Sequence, residues 1–302
     1  MVATVDVTQA QYFIPEIWAQ TVIPILRRYI VIAPRVYRDT DVAAFSRGDT
    51  LHVPYPGTLA ASDKAAGTAY TLAQPSGETE VQVVLNKQKA VSFIVEDVVR
   101  AQSNQDLIQV YSEASAIALA EQLETDLWTT AVAETNTTGA AGTDLSASAL
   151  RTAAKTMTDN LCPSDGRVLV VSTKDKLALQ ADTGLTSYFA FTQTQAVSEG
   201  NLGRLYGFDV FESQLVPTIA GTPVETDNIA FRRDGLILAM RGLPDVPQGM
   251  GAVSATVRDP ESGIVMRTVM AYDATYGGVR VTFEILYGTK ILQDAKVLLV
   301  KS

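Results

Sequence analysis

The most regular pattern of apolar positions along the chain is helical and covers residues 104–134. Apolar side chains recur there at intervals of three and four residues, on one broad face: Leu107, Val110, Tyr111, Ala114, Ile117, Ala118, Leu123, Leu127 and Trp128. Ser103 or Asn104 can cap this run, because a short polar side chain accepts the first free backbone N–H groups. At ~1.5 Å per residue the pattern predicts a helix roughly 45 Å long.

Residues 47–95 alternate between apolar and polar positions and predict a long β-hairpin. The alternating apolar residues fall on an outgoing and a returning strand: Leu51, Val53, Tyr55, Val81, Val83 and Leu85. The tip between them, residues 56–78, offers few large apolar groups. A two-stranded ribbon is marginal in water, and ordering about 40 residues costs roughly 40–80 kcal/mol of backbone entropy. We therefore expect contacts outside this arm, most simply with another copy of the chain, to hold it.

Residues 1–46 give mixed signals and are interpreted as an N-terminal arm. Pro15 can open a helix, and Pro24 would kink or break it because proline lacks a backbone N–H. The arm carries the one basic cluster of note: Arg27, Arg28, Arg35 and Arg38. We expect Arg27, Arg28 and Arg35 to dock on carboxylates of a neighbouring copy, alongside apolar packing.

The rest of the chain alternates helix and strand patterns, which predicts the α+β class. The run TNTTGAAGTD, residues 135–144, is interpreted as a linker. Beyond it the patterns predict helices over 146–161 and 174–180, and strands over 167–171, 208–211, 228–231, 255–258, 264–272, 279–287 and 297–300. Turns with the sequences DPESG, TYGG and YGTK separate the last four strands.

Composition excludes several classes of protein. With 47% apolar and 19% charged residues, the 302-residue chain can bury a substantial core. No apolar run approaches the ~18 residues that a membrane span needs, and the N-terminus lacks the basic start and apolar centre of a secretory signal. The single cysteine, Cys162, allows no intrachain disulfide, so we expect a protein made in a reducing cytosol.

The net charge of −9 is concentrated in one stretch of the chain. Residues 101–150 contain no Lys or Arg and seven carboxylates: Asp106, Glu113, Glu121, Glu124, Asp126, Glu134 and Asp144. Proteins that bind the phosphates of nucleic acids need clustered cationic side chains, because counterion release supplies much of the binding affinity. This distribution therefore argues against direct nucleic-acid binding.

No set of residues points to catalysis, a cofactor or a metal. His52 is the only histidine, which excludes sites built from several histidines. The glycines of GNLGRLYG, residues 200–207, lack the spacing and the following helix of a dinucleotide loop, which favours a turn before a strand. The acids that could form a carboxylate site are interpreted as turn residues: Asp245, Asp259, Glu261 and Asp273.

Seven segments follow one another along nearly the whole chain: FIPEIWAQTVIPILRR, RGDTLHVPYPG, EVQVVLNKQKAVSFIVEDV, LAEQLETDLW, GNLGRLYGFDVFES, NIAFRRDGLILAM and YGGVRVTFEILYGTKIL. In this order they resemble the major capsid (coat) proteins of tailed double-stranded DNA bacteriophages. The resemblance implies the Hong Kong 97-like capsid fold, an α+β architecture. Its parts would be an N-terminal arm (1–46), an extended loop hairpin (47–95), a peripheral domain with the long helix as its spine (96–144 and 256–302) and an axial domain (145–255).

The resemblance also implies a function, partners and a location. The chain would be a structural shell subunit, not an enzyme, that self-assembles into hexamers and pentamers of an icosahedral head enclosing the DNA genome. A portal protein would be a partner, packaged DNA would be contacted without sequence-specific binding, and no membrane would be involved. Because the arm begins almost at once, we expect a separate scaffolding protein, and decoration proteins are left open. The location would be the virion capsid, assembled in the host cytoplasm.

Particular residues acquire expected roles from the same resemblance. The spine helix would lie towards the inside of the shell, so Glu113, Glu121 and Glu124 would line the interior or a subunit seam; a solvated acidic helix face is the equal alternative. Lys64, near the loop tip, could join an Asn or Asp of a neighbour, although a solvated lysine is simpler. For the whole chain the alternatives are an encapsulin-like bacterial compartment shell and an α+β hydrolase with a carboxylate site.

Overall fold

The computed structural model describes residue 22 and residues 30–39, 50–55, 59, 61–70, 72, 79–102, 107–182, 202–221, 223–247, 251–259 and 263–302. Within these ranges the chain forms four α-helices: α1 (Asp97–Gln102), α2 (Leu107–Val132), α3 (Ala147–Asp159) and α4 (Thr173–Ala181). Single 3-10 turns cover Ala33–Arg35 and Asp294–Lys296.

Fifteen strands accompany these helices in the same ranges. They are β1 (Tyr37–Asp39), β2 (Thr50–Tyr55), β3 (Thr79–Val84), β4 (Lys87–Glu96), β5 (Thr137–Gly139), β6 (Arg167–Val171), β7 (Arg204–Leu205), β8 (Phe208–Glu212), β9 (Thr218–Ile219), β10 (Glu225–Arg232), β11 (Leu236–Arg241), β12 (Ala252–Arg258), β13 (Val265–Asp273), β14 (Gly278–Ile291) and β15 (Val297–Lys301). The predicted α+β class is confirmed.

The predicted long helix is confirmed as α2, which spans 26 residues. Its buried face carries the large apolar residues Leu119, Leu123, Leu127 and Trp128. Ser103 and Asn104, the predicted caps, lie outside the described residues. The predicted helices over 146–161 and 174–180 are confirmed as α3 and α4, and the Ser146 hydroxyl accepts the Ala149 backbone N–H at the start of α3.

The first sheet has the strand order β1-β11-β14-β13-β12, and β4 pairs with the other edge of β14. β1 runs parallel to β11, and the other pairs are antiparallel. α2 lies across this sheet and packs mainly on β4 and β14. Because side chains alternate along a strand, β11 divides its residues between two faces. Leu236 and Leu238 join the core beneath α2, whereas Ile237 and Ala239 join a separate cluster on the opposite face.

The second sheet has the order β5-β15-β10-β6-β8-β7, with β9 beside β10. One face of it contributes Ile229 and Phe231 to the same core as α2. The opposite face carries Leu169 and Ala230 and packs with Leu150 of α3 in a second core. The two sheets therefore share one apolar interior through α2, and α3 covers the outer side of the second sheet.

Sheet membership divides the chain differently from the boundaries expected from sequence. β11 falls within the expected axial range 145–255 and β12 begins there, but both pair in the first sheet. β15 falls within 256–302 but pairs with β10 in the second sheet. β4 falls within the expected extended loop, 47–95, but is a full strand beside β14. The chain changes sheet through short connections at 233–235 and 292–296, and local periodicity does not reveal which sheet a strand joins.

The predicted hairpin is confirmed for β2 and β3, which pair antiparallel with Leu51 opposite Val83 and Val53 opposite Val81. Its base is not left to another copy of the chain, as the sequence had suggested. Leu51, Val83 and Leu85 are buried against Ile237 on the face of the first sheet opposite α2. The apolar half of the ribbon thus finds a core within its own subunit.

Two segments interpreted as turns or linkers are strands. The predicted YGTK turn is wrong, because β14 continues through Gly288 to Ile291. A Cβ on Gly288 would lie 2.2 Å from the Val84 carbonyl oxygen, so glycine is required by close backbone approach and not by a turn. The TNTTGAAGTD linker contains β5, which pairs in parallel with β15.

Candidate assembly surfaces

The tip of the hairpin exposes large apolar side chains that its own subunit does not cover. Leu59, Tyr70 and Leu72 have 64%, 80% and 89% of their surface exposed. Lys64 is also exposed, and its ammonium lies 4.8 Å from the centroid of the Tyr70 ring. Burial of such residues is the main favourable contribution in association, so the tip is a candidate contact with a second molecule.

A second apolar surface surrounds the N-terminal end of α2. A groove of about 410 Å³, here named the terminal groove, is lined by Phe93, Ile94, Val95, Glu96, Val99, Leu107 and Tyr111. Val98, Val99 and Val110 are exposed at its margin. The Phe93 and Tyr111 rings pack with their centroids 5.5 Å apart and form its floor. This surface was not expected from the sequence, because four of its seven lining residues come from β4, which the alternating pattern had placed in the hairpin.

The hairpin and the terminal groove lie at opposite ends and on opposite faces of the first sheet. The hairpin base packs on Ile237 and Leu292. These residues lie near the end of β4 at which Lys87 pairs with Tyr287. The groove lies at the other end of β4, where Val95 pairs with Val279. The ten-residue β4 places about 30 Å between these ends. The base of a subunit's own hairpin therefore lies far from its own groove.

Part of the acidic stretch turns inward, which corrects the expectation for Glu124. Its side chain is 0% exposed, and Oε1 accepts the backbone N–H groups of Val31, Ile32 and Ala33 at 2.9, 2.9 and 3.0 Å. Burial raises the pKa of Glu124, and the backbone donors and the nearby charge of Arg35 oppose that shift. A carboxylate enclosed in this way cannot line an inner wall, because no part of it reaches the surface.

Other acids of the stretch also have partners within the subunit. Glu134 is buried and accepts the backbone N–H groups of the two residues that follow it. Asp144 pairs with Lys174 at 3.3 Å. Glu113 and Glu121 are exposed on α2, and Asp106 lies outside the described residues. Only two of the three acids expected on a wall thus remain available for that role.

Asp126 joins α2 to the strand that follows the hairpin. Its Oδ2 accepts the Tyr287 hydroxyl at 2.7 Å and lies 3.7 Å from Lys87 Nζ and 3.6 Å from Lys89 Nζ. Burial and this hydrogen bond raise the pKa of Tyr287, so the phenol stays protonated and donates a hydrogen bond to Asp126. Because Lys87 is the first residue of β4, these contacts fix the exit of the hairpin against α2. Sequence reasoning gave no sign of this cluster.

The basic residues of the arm do not behave as one group. The Arg35 guanidinium stacks on the Phe211 ring of β8, 3.4 Å from its centroid, and Nη1 donates to the Val31 carbonyl. Arg35 is therefore engaged within its own subunit, which corrects the expectation that it docks on a neighbour. Arg27 and Arg28 lie outside the described residues.

The described residues contain no cluster of three potential metal ligands. Asp245 accepts the Thr256 hydroxyl and Asp273 pairs with Arg280, so these two acids serve separate local contacts. Gly203, directly before β7, and Gly207, directly before β8, adopt left-handed φ angles of +59° and +90°, as turns before strands require. No helix within the described ranges is long and apolar enough to span a membrane.

Comparison with known proteins identifies the family. The family model of the phage capsid protein matches residues 78–284. A comparison with curated proteins gave no match. Among solved structures, a chain of Mycobacterium phage Che8 is similar with 22% identity and a TM-score of 0.63, with 90% of each chain covered. The head structure of Helicobacter pylori bacteriophage KHP40 gives 11% identity and a TM-score of 0.66, with 88% of each chain covered. The capsid of cyanophage P-SCSP1u gives 17% identity and a TM-score of 0.62, with 88% of this chain and 86% of that one covered.

The family model covers more than half of the 302 residues, and the solved structures share the fold over most of the chain. These findings favour neither an encapsulin-like compartment shell nor a hydrolase. The chain belongs to the phage capsid protein family: it is a major capsid protein of Hong Kong 97-like fold and a structural subunit of the virion shell.

Proposed function

We propose that the subunits form hexamers and pentamers of an icosahedral head through a head-to-tail contact, in which the hairpin tip of one subunit occupies the terminal groove of the next. The observation that carries this proposal is the presence of two separate exposed apolar surfaces on one subunit, the hairpin tip and a groove at the end of β4 far from the hairpin base. A contact between two different surfaces repeats in one rotational sense and closes into a ring when the rotation allows it. One subunit can therefore serve rings of five and six if its hairpin accommodates small changes in angle.

The chemistry of the two surfaces supports the pairing. The tip supplies Leu59, Tyr70 and Leu72, and the groove is lined largely by aromatic and aliphatic side chains. Fully burying one such side chain contributes about 1.5–3 kcal/mol, which ordering and association costs partly offset. Lys64 brings a cation to this contact, and Glu96 at the groove offers the opposite charge. A single contact can therefore hold two subunits together, and in a closed ring each subunit is held by two such contacts.

The interior of the head and its other partners follow from this assembly. We infer that Glu113 and Glu121 face the enclosed DNA, since both are exposed on α2 in a stretch without Lys or Arg. Such a surface repels DNA and binds no particular sequence. We also propose a portal protein and a separate scaffolding protein as partners of the shell. We propose assembly in the host cytoplasm, in keeping with the single, buried Cys162.

A mixing experiment tests the head-to-tail contact. One variant removes residues 58–75, the hairpin tip, and a second carries Val99→Asp in the terminal groove. The tip deletion is expected to fold, because Leu51, Val83 and Leu85 still bury the hairpin base. Neither variant should form particles alone. Mixed at equal concentration they should give a one-to-one dimer by light scattering, since only the second variant has an intact tip and only the first an intact groove.

Leu177→Ser serves as the matched control, because Leu177 is 60% exposed on α4, away from both surfaces. This control should assemble as the unmodified chain does. Particle formation by the tip deletion, or a mixture that remains monomeric while both variants keep the circular dichroism of the unmodified subunit, would show that the proposed contact is wrong.

A further inference from the structure

Two residues beside the second sheet, Leu161 and Tyr206, adopt left-handed backbone conformations although neither is a glycine. Their φ angles are +59° and +48°, and among the described residues no other residue with a side chain has a positive φ. A Cβ crowds the backbone in this region, so large side chains seldom occupy it. Both positions therefore carry a local strain that glycine or asparagine would avoid.

Leu161 follows the last turn of α3, in a cap that favours glycine. Its backbone N–H donates to the Thr158 carbonyl at 3.0 Å. The next N–H, that of Cys162, donates to the Met157 carbonyl at 2.9 Å. This pair of hydrogen bonds is the Schellman motif, in which glycine is the usual residue at the position of Leu161. The leucine side chain is 89% exposed, so contacts within its own subunit do not offset the strain.

Tyr206 lies in the two-residue turn between β7 and β8, and Gly207 beside it has a φ of +90°. Two successive left-handed residues between paired strands form a type I′ turn, for which asparagine followed by glycine is favoured. The Tyr206 ring is partly exposed, and the Arg151 guanidinium lies 5.9 Å from its centroid. Within the described ranges no carboxylate pairs with Arg151, so its charge is available to a neighbouring molecule.

Arg167, the first residue of β6, holds these two positions close together. It is buried, and its guanidinium donates to three backbone carbonyl oxygens on either side of Leu161 in sequence: those of Ala154, Cys162 and Pro163. The turn of Tyr206 lies against the same loop, since a Cβ on Gly207 would be 4.0 Å from the Ser164 carbonyl oxygen. The three exposed side chains of this rigid region are here named the α3 surface: Arg151, Leu161 and Tyr206.

Another pair of exposed apolar residues lies at the opposite end of the second sheet. Ile219 and Val224 flank the turn between β9 and β10, and each is about half exposed. β9 pairs with the first residues of β10, whereas Arg167 lies opposite Arg232, the last residue of β10. The eight residues of β10 place about 25 Å between these ends. The two apolar surfaces of one subunit therefore cannot cover each other.

We propose that the α3 surface of one subunit binds Ile219 and Val224 of an adjacent copy, as a further contact between subunits besides the hairpin tip. The inference rests on the proposed assembly of identical subunits. A protruding leucine and an aromatic ring on rigid turns are then buried only when a neighbour is present. This contact explains why the strained positions hold large apolar residues and not the glycine and asparagine that their turns favour.

The size and charge of the α3 surface favour a second copy as its partner. Two side chains cover far less than the ~1,200 Å² that a specific independent complex buries. Copies that another contact already holds together need much less, because the second contact forms at high effective concentration. On a chain of net charge −9, a neighbouring copy also offers carboxylates to Arg151.

The test replaces each strained residue by the one that its turn favours, in the combined variant Leu161→Gly with Tyr206→Asn. Relief of the strain should raise the Tm of the dilute, unassembled chain by about 2–4 °C in circular dichroism. Loss of the two apolar groups should raise the protein concentration needed for particle formation by about tenfold or more, measured by light scattering. Leu177→Gly is the matched control, because it removes an exposed leucine from the ordinary helical backbone of α4. It should lower the Tm and leave the assembly concentration unchanged.

Ile219→Ser with Val224→Ser should raise the assembly concentration to a similar extent. All four changes together should raise it no further than the larger of the two effects, because both pairs belong to one contact. Effects that multiply would show that the two surfaces do not meet.

The inference is also wrong if the Leu161→Gly with Tyr206→Asn variant assembles at the unmodified concentration, or if its loss of assembly is accompanied by a lower Tm. Val99→Asp in the terminal groove separates this inference from the proposed tip contact. Loss of particles with Val99→Asp alone would leave the tip contact standing without the α3 contact. Normal particles from Val99→Asp, with impaired assembly of the Leu161→Gly and Tyr206→Asn variant, would give the reverse.

Discussion

Replacement of Gly288 by alanine tests whether the hairpin must cross β14 at close range. Gly288 lies opposite Ala239 in the first sheet, on the face where the hairpin base packs. An added Cβ would lie 2.2 Å from the Val84 carbonyl oxygen and 2.9 Å from its carbon. Ordinary contacts begin at about 3.4 Å, so the end of β3 and β14 must move apart by about 1 Å.

The energetic consequence follows from the rigidity of the atoms involved. All the nearest atoms belong to the backbone of Val84 and Leu85, which cannot turn aside as a side chain can. Overpacking of this kind typically costs about 1–3 kcal/mol, and the greater strand preference of alanine returns about 0.5–1 kcal/mol. We expect a net loss of about 0.5–2 kcal/mol, and about 2–4 °C in Tm for each kcal/mol in a domain of this size.

Assembly should suffer more than stability. A displacement at the base of the hairpin should carry through to Leu59 and Tyr70 at the tip, and the proposed contact with a neighbouring groove depends on the direction of the ribbon. Gly288→Ala should therefore melt a few degrees lower in circular dichroism and give markedly fewer particles in electron micrographs. Gly242→Ala is the matched control, because its nearest neighbours are methyl groups of Thr256 and Val265 at 3.0 and 3.3 Å. If both variants melt and assemble alike, the reasoning about the crossing is wrong.

Two further predictions concern the acids of α2. Burial raises the pKa of Glu124, so its proton is bound more tightly in the folded than in the unfolded chain. Binding of that proton stabilises the folded chain as pH falls through the raised pKa, and this stabilisation is lost as pH rises through the raised pKa. Chemical denaturation measures the free energy of unfolding of the unmodified chain and of Glu124→Gln. The difference in favour of the unmodified chain should be larger at about pH 5 than at about pH 7. A difference that is larger at about pH 7 would contradict the raised pKa of Glu124. Glu113→Lys combined with Glu121→Lys should raise the nucleic acid retained in purified particles, because cations within the ~8 Å Debye length attract phosphates. An unchanged ratio of nucleic-acid absorbance to protein absorbance in the particles would mean that Glu113 and Glu121 belong to a solvated face.

The sequence predicts those elements whose signal is local. α2 follows from apolar residues at helical spacing, and the hairpin of β2 and β3 follows from alternating apolar and polar residues, because the two ribbon faces have different surroundings. Ser146 before α3 is likewise a local signal, since its hydroxyl caps the helix that it begins. For these elements the residues that decide the structure lie within a few positions of one another.

What the sequence could not predict depends on distant partners. Glu124 and Glu121 are the same residue type on one helix, yet one is buried by a segment more than ninety positions away and the other is exposed. Gly288 resembles a turn glycine because the Val84 carbonyl that excludes a side chain there is about two hundred residues distant. The terminal groove was missed for the same reason, since β4 joins the sheet only through its pairing with β14.

Visualisation of the purified protein by negative-stain electron microscopy, together with light scattering for its mass, tests the central claim most directly. The account predicts closed, roughly spherical shells with masses on the order of megadaltons, built from rings of five and six subunits. The tip deletion of residues 58–75, measured in parallel, should remain a folded monomer. Small oligomers of fixed size from the unmodified chain, under conditions in which it is folded and concentrated, would contradict the account.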